Sequence, residues 1–296
     1  MLKNLYLFNF HRVSDEVSPA YPPMPLGTFE KIIRLINRRF VVVPQEELLL
    51  GTMPNCRKDL CVITFDDAYY DFAEYALPIL VKYKTPMSLH VVTDVATTGK
   101  MFWTQRLNKV VEAYWKKRKT IANPLLPRQY VMKNGKEVEK AALEIYLHLL
   151  GNPERDKVID ILANEVGDSV ETTPMLMWDD IVKLPSDIVA IGSHTHTHRN
   201  LMQLPESEVV YELEESYRII KEKTGTAPIS IAYPNGQYND KINEMALATG
   251  YKVLYTCDAK PVTESNSCIY HRYNLYNREF WKNRLKIDLF RLKSTI

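Results

Sequence analysis

Several things are missing from this 296-residue chain, and each absence excludes something. No run of about 18 apolar residues occurs, so no membrane-crossing helix is expected. The start, Met1-Leu2-Lys3-Asn4, lacks the long apolar region and small-residue cleavage site of a secretion signal. A cytoplasmic location is therefore the expectation, with a peripheral position at the inner membrane face as its variant. The four cysteines, Cys56, Cys61, Cys257 and Cys268, form no C-x-x-C pair, which argues against a zinc knuckle or a dithiol redox motif. Idle thiols are expected, although the spacing would allow Cys56–Cys61 and Cys257–Cys268 bridges. The formal net charge is only +2, so nothing calls for a nucleic-acid partner. The basic run Lys116-Lys117-Arg118-Lys119 reads as the solvated end of a helix. There is no internal repeat and no low-complexity segment. Nothing in the sequence sets an oligomeric state.

What is present is an alternation of short apolar runs with longer amphipathic stretches. Strands are expected at Leu5 to Phe10, Val41 to Val43, Leu60 to Thr64, Met87 to Val92, Ile188 to Ile191, Ile229 to Ala232 and Val253 to Tyr255. A helix with Phe29, Ile32, Ile33 and Ile36 on one face follows the first strand, with Thr28 as its candidate N-cap. A second helix carries Val209, Leu213, Tyr217 and Ile220 and closes at Gly225, and a last one runs from Glu279 to Leu292. Strand–helix alternation of this kind indicates an α/β fold with a parallel sheet, open or closed into a barrel. From about residue 100 to 175 the pattern is helical and charged, which reads as a helical insertion within one catalytic domain spanning 1–296.

In parallel α/β folds, functional groups collect at the carboxyl ends of strands. Three polar clusters fall there. Asp66-Asp67 follows the third strand, His194 to His198 follows the strand ending at Ile191, and Tyr233-Pro234-Asn235-Gly236 follows the strand ending at Ala232. Residues four apart share a helical face, so His194 and His198 can both reach one ion. Two imidazoles and one carboxylate leave a zinc ion an open position, as catalytic sites require. Adjacent carboxylates point in different directions, so one can bind a metal while the other serves as a base. His196 is expected to turn away. Tyr69, Tyr70, Trp103 and Tyr238 are candidates to stack on a bound ring.

These residues resemble a known family. Thr64-Phe65-Asp66-Asp67, and Ser193-His194-Thr195 leading to Thr197-His198 and Asn200-Leu201, look like the polysaccharide deacetylases (NodB homology, carbohydrate esterase family 4). Ala232-Tyr233-Pro234-Asn235-Gly236 is similar to the family's third motif, and Ala76 to Leu80 to the helix after the Asp pair. The matches cover about 3–99 and 188–276, not the insertion between them. The resemblance implies an irregular (β/α)7 barrel and a divalent metal, zinc first, held by Asp67, His194 and His198. It implies Asp66 as general base and the backbone N–H of Tyr233 as an oxyanion donor. Phe10-His11-Arg12-Val13 is similar to the Tyr-His-x-Val element of the branch acting on poly-N-acetylglucosamine, which makes His11 the candidate acid and His271 its rival. Arg272 would orient Asp66. The implied substrate is an N-acetylated sugar, oligosaccharide or lipid-linked glycan.

Two departures stand out. Ala68 replaces the glycine usual after the Asp pair, which is tolerable unless the backbone needs positive φ. Phe10 stands where tyrosine is usual. Two other readings remain open from sequence alone: hydrolysis of a non-sugar C–N bond in a cyclic amide or ureide, and a catalytically silent carbohydrate-binding homologue.

Overall fold

The structure is a computed structural model that describes residues 4–50, 57–167, 171–258 and 268–293. The strands are β1 (Leu5–Phe10), β2 (Val41–Val42), β3 (Leu60–Asp66), β4 (Met87–Val91), β5 (Val189–Ser193), β6 (Ser230–Ala232), β7 (Val253–Thr256), β8 (Ile269–His271) and β9 (Tyr273–Asn274). The helices are α1 (Leu26–Arg39), α2 (Glu47–Leu50), α3 (Leu77–Lys82), α4 (Thr93–Thr98), α5 (Trp103–Lys116), α6 (Gly135–Leu149), α7 (Arg155–Val166), α8 (Trp178–Ile181), α9 (Glu206–Thr224), α10 (Asp240–Thr249) and α11 (Phe280–Lys293).

Every pairing between these strands is parallel, in the order β8-β7-β6-β5-β4-β3-β1-β9. One residue, Arg272, separates β8 from β9. The two halves act as one interrupted strand, the first half on β7 and the second on β1. This makes a nearly closed parallel barrel of eight strands, seven if the two halves count as one as in the expected (β/α)7 type, with β2 attached to β3 beside it. Alternate residues face opposite sides. Tyr6, Phe8, Phe10, Cys61, Ile63 and Phe65 pack with α1 in the layer between barrel and helices. Leu7, Leu60, Val62, Val253 and Tyr255 form a separate interior cluster. Burial on both faces explains why β3 reads as an unbroken apolar run.

This barrel unit comprises Met1–Ser14, Met24–Gly99 and Met175–Ile296. Lys100–Pro174 forms a second compact unit and recruits Asp15–Pro23, a segment the sequence pattern does not assign to it. Its helices α5, α6 and α7 enclose Leu107, Val110, Val138, Ile145 and Leu162. Buried Glu112 accepts a hydrogen bond from Ser18, which ties the recruited segment in. Trp103 stacks on Tyr146 and under Arg155, so its ring is committed to this core. The basic run ends α5 as anticipated, and Lys117 and Lys119 donate to the last carbonyls of α7.

Some local expectations need correction. Thr28 does not cap α1: Pro25 holds the N-cap position, and the Thr28 hydroxyl donates to the Arg278 carbonyl. The helix around Pro78 opens with a π-type turn at Phe72–Ala76, and Pro78 falls in the first turn of α3. Cys61, Cys257 and Cys268 are free thiols, which removes both disulfide options; Cys56 lies outside the described residues.

Candidate active site

The carboxyl end of β3 carries both aspartates. Asp66 is the last strand residue, aligned with His90 on β4. The chain then turns through left-handed conformations, φ 76° at Asp67 and 57° at Ala68. Here the backbone does require positive φ, so the Ala68 Cβ is carried at a cost of about 1–2 kcal/mol. The turn is pinned where Leu176 N–H donates to the Ala68 carbonyl. Its consequence is that two consecutive carboxylates lie in different surroundings. The Phe10 departure is benign: its ring packs on Phe29 and Phe65, where a hydroxyl would need a partner.

His194 and His198 do converge, but not through a helix. The chain after β5 has no helical turn at 194–200, and Thr195 and His198 take positive φ of 66° and 59°. The loop is built by side chains. Ser193 Oγ accepts from Thr195 N–H, and Thr195 Oγ1 accepts from His198 N–H. Glu212, buried on α9, accepts from His196 N–H at 2.9 Å and Thr197 N–H at 2.8 Å, and also bonds the Thr197 hydroxyl. His196 turns aside to Thr93 Oγ1 and the Tyr211 ring.

The His194 Nδ1 lies 2.7 Å from the Ala232 carbonyl. A carbonyl can only accept, so Nδ1 carries the proton and Nε2 keeps its lone pair. Nε2 of His194 is 3.4 Å, and Nε2 of His198 3.5 Å, from the same atom, Asp67 Oδ1. No protein donor among the described residues reaches that oxygen, although it is buried. Burial, then the neighbouring Asp66, pushes the Asp67 carboxyl well above its usual range. Burial likewise pulls His194 down to about 4 and His198 well below 6.5. A cation among these three groups would offset the buried carboxylate and use the imidazole nitrogens. A tetrahedral ion with bonds of roughly 2.0–2.2 Å has ligand–ligand edges of about 3.3–3.6 Å, which both separations match. Asp67, His194 and His198 fit a divalent metal.

Asp66 is the opposite case. Arg272 grips it with a two-pronged fork, Nη1 to Oδ1 at 2.7 Å and Nη2 to Oδ2 at 2.8 Å. Asn9 Nδ2 donates to Oδ2 at 2.9 Å, and His90 Nδ1 lies 3.2 Å from Oδ1. Burial alone would raise this carboxyl, but Arg272, then His194 and His90, outweigh it and hold Asp66 well below the usual carboxylate range. Arg272 is fully buried and also donates to Asn9 and Thr64. Asn9 and His90 are contributions that motif reading misses, because each lies in mid-strand or at a strand end inside an apolar run. Gly192 carries the one visible trace of His90: a Cβ there would lie 2.5 Å from the His90 ring and from Ser230 Oγ.

The remaining candidates divide. His11 follows β1 directly, and its Nε2 is 3.9 Å from Asp66 Oδ2, with the side chain 22% exposed. His271 hydrogen-bonds Thr256 Oγ1 through Nδ1. Tyr233 does not fit its expected part: its N–H donates to the Tyr255 carbonyl at 3.0 Å, so pairing with β7 takes the donor meant for an oxyanion. Its phenol is buried against Asn243.

Comparison with known proteins agrees with this geometry. Residues 155–254 match the family model described as polysaccharide deacetylase, a stretch that includes His194 and His198 but not Asp67. No curated protein matches the sequence. Solved structures do match in fold. A Streptococcus pyogenes deacetylase, PplD, in complex with acetate has a TM-score of 0.63 at 16% identity, covering 96% of this chain and 97% of that one. IcaB from Ammonifex degensii gives 0.62 at 16% identity, covering 96% of each. A de-N-acetylase from Aggregatibacter actinomycetemcomitans gives 0.56 at 17%, covering 95% and 99%. The chain is thus similar to polysaccharide deacetylases in sequence over 155–254 and shares its fold with solved deacetylases over nearly its whole length, with an Asp-His-His cluster at the carboxyl ends of its strands.

Proposed function

We propose that this protein is a zinc-dependent hydrolase that removes N-acetyl groups from an amino-sugar-containing carbohydrate. The observation that carries the reading is the contrast between adjacent carboxylates: Asp67 Oδ1 faces two imidazole nitrogens with no donor among the described residues, while Asp66 is held apart by Arg272 and Asn9. A divalent ion held by Asp67, His194 and His198 would polarise the acetamide carbonyl and acidify a water molecule. Asp66 then takes the proton from the attacking water, staying ionised beforehand because Arg272 and Asn9 saturate it with donors. His194 would offer its Nε2 lone pair to such an ion, because the Ala232 carbonyl claims the proton on Nδ1. His11, beside Asp66 and partly open to solvent, hands a proton to the departing nitrogen. Acetate and a free amino sugar result. Polysaccharide deacetylase as the matched family, and deacetylases among the fold relatives, support the substrate class.

The test is acetate release from N-acetylated chito-oligosaccharides, measured with and without chelator and after zinc is restored. Chelation should abolish release and zinc should return it. Asp66→Asn should bind zinc as before and lose nearly all turnover. Normal turnover by Asp66→Asn would remove the base assignment. A zinc-loaded protein that releases no acetate from any N-acetyl sugar would remove the substrate class.

A further inference from the structure

The chain as a whole is nearly neutral at +2, yet its cations are unevenly placed. Helix α1 and the stretch 278–293 that includes α11 carry ten lysines and arginines against three carboxylates. The two helices lie side by side: the Thr28 hydroxyl bonds the Arg278 carbonyl at one end, and Arg39 pairs with Asp288 further along. The three carboxylates are all committed, Glu30 to Lys82, Glu279 to Lys282, and Asp288 to Arg39 and Arg284. Lys31, Arg34 and Arg38, spaced along one exposed stripe of α1, have no carboxylate within ion-pair distance among the described residues. Together with Leu35 and Phe280 these three line a cavity of about 260 Å³.

The neighbouring helix α11 carries an exposed apolar stripe. On α11, Asn283 and Ile287 are buried, and Phe290 stacks on Tyr273. The opposite face presents Trp281, Leu285 and Leu289, four residues apart and 62%, 50% and 47% exposed. Tyr276, just before the helix, is 58% exposed with Lys286 over its ring. Tryptophan and leucine on one line, with lysine and arginine alongside, is the composition of a helix lying in the headgroup layer of a bilayer. Lys31, Arg34 and Arg38, without an ion-pair partner among the described residues, supply the complement to anionic headgroups. No described helix is long and apolar enough to cross a membrane, so the contact would be lateral.

We propose that the α1–α11 face docks the protein on an anionic phospholipid surface, with lipid phosphates at Lys31, Arg34 and Arg38 and with Trp281, Leu285 and Leu289 in the interface. An acidic protein would use the cations but would leave an isolated tryptophan–leucine line without a role, which is why a bilayer is favoured. The inference does not depend on the catalytic reading, since none of these residues touches the metal-facing cluster.

The test is co-sedimentation with vesicles of phosphatidylcholine alone or with phosphatidylglycerol added, followed by tryptophan fluorescence. Binding is expected only to the anionic vesicles, falling as salt rises, with a blue-shifted emission that disappears in Trp281→Tyr. Lys31→Gln/Arg34→Gln/Arg38→Gln should weaken binding by roughly 100-fold, at about a factor of five for each cation near an anionic surface. Leu285→Ser/Leu289→Ser should weaken it while keeping the salt dependence. Metal content and turnover of a soluble substrate should be unchanged in all these variants. Equal binding to neutral vesicles, or none to anionic ones, overturns the proposal. So does saturable binding of inorganic phosphate or polyglutamate that the triple variant loses, in a protein indifferent to vesicles.

Discussion

Arg272 offers the sharpest test of how the site is held. It is fully buried, and its two-pronged contact with Asp66 has both distances below 2.9 Å. Replacing it by methionine keeps most of the volume but strands a buried carboxylate beside a second one, Asp67. Removing one partner of a buried pair costs about 3–5 kcal/mol, far more than the pair itself contributes. For a domain of this size the melting point should fall by about 10 °C. Asp66→Asn should be costly for the mirror reason, leaving a guanidinium without its anion. Combining the two removes both charges, so the double variant should be less destabilised than the summed singles by at least about 2 kcal/mol. Arg272→Lys, a point charge that cannot fork, should fall between wild type and Arg272→Met. The assay is chemical denaturation of metal-free protein, read on the barrel unit. Additivity of the two single variants within about 0.5 kcal/mol would refute the reasoning.

Two further substitutions probe the supports. Gly192→Ala places a Cβ 2.5 Å from His90 and Ser230, so it should cost about 1–3 kcal/mol by overpacking and shift His90; an unchanged melting point would mean that the close approach is not rigid. Glu212→Gln keeps the size but removes the charge that fixes the N–H groups of His196 and Thr197, and it should weaken zinc binding about 10–100-fold in a competition titration. An unaltered zinc affinity would show that the loop holds its shape without Glu212.

The fold was legible because the barrel strands are buried on both faces and stand out as apolar runs between amphipathic helices. The cluster of Asp67, His194 and His198 was legible because functional groups collect at the carboxyl ends of strands in parallel α/β folds. What escaped has physical causes. His194 and His198 sit four apart, which suggests a helix, yet left-handed residues at 195 and 198 bring them together within a loop that periodicity cannot describe. Asn9 and His90 act through strand register, Asn9 beside Thr64 and His90 beside Asp66, and register is a tertiary fact. Glu212 left a weak trace: it lies on the α9 face of Val209, Leu213, Ser216 and Ile220, where an acidic residue is out of place unless something buried needs it. The Tyr233 N–H was misassigned because its strand partner, Tyr255, is invisible in a local motif.

Asp66 and Asp67 are identical in type, adjacent and both buried, so substituting either might be expected to act alike on stability. The surroundings argue for opposite signs. Asp66 has Arg272 and Asn9 as donors, and its charge is compensated within the protein. Asp67 Oδ1 has no donor among the described residues, and the Nε2 atoms of His194 and His198 lie 3.4 and 3.5 Å from it. In metal-free protein, Asp67→Asn should therefore stabilise, by about 1 kcal/mol or more, because it removes a carboxyl whose ionisation burial and Asp66 both oppose and gives the imidazoles a fixed donor. Asp66→Asn should destabilise under the same conditions. Adding zinc should raise the melting point of wild type and Asp66→Asn but not of Asp67→Asn, since stabilisation follows binding to the native state. Calorimetry of the three proteins with and without zinc measures all of this. If Asp67→Asn destabilises the metal-free protein as Asp66→Asn does, Asp67 is compensated by the protein and the metal assignment fails.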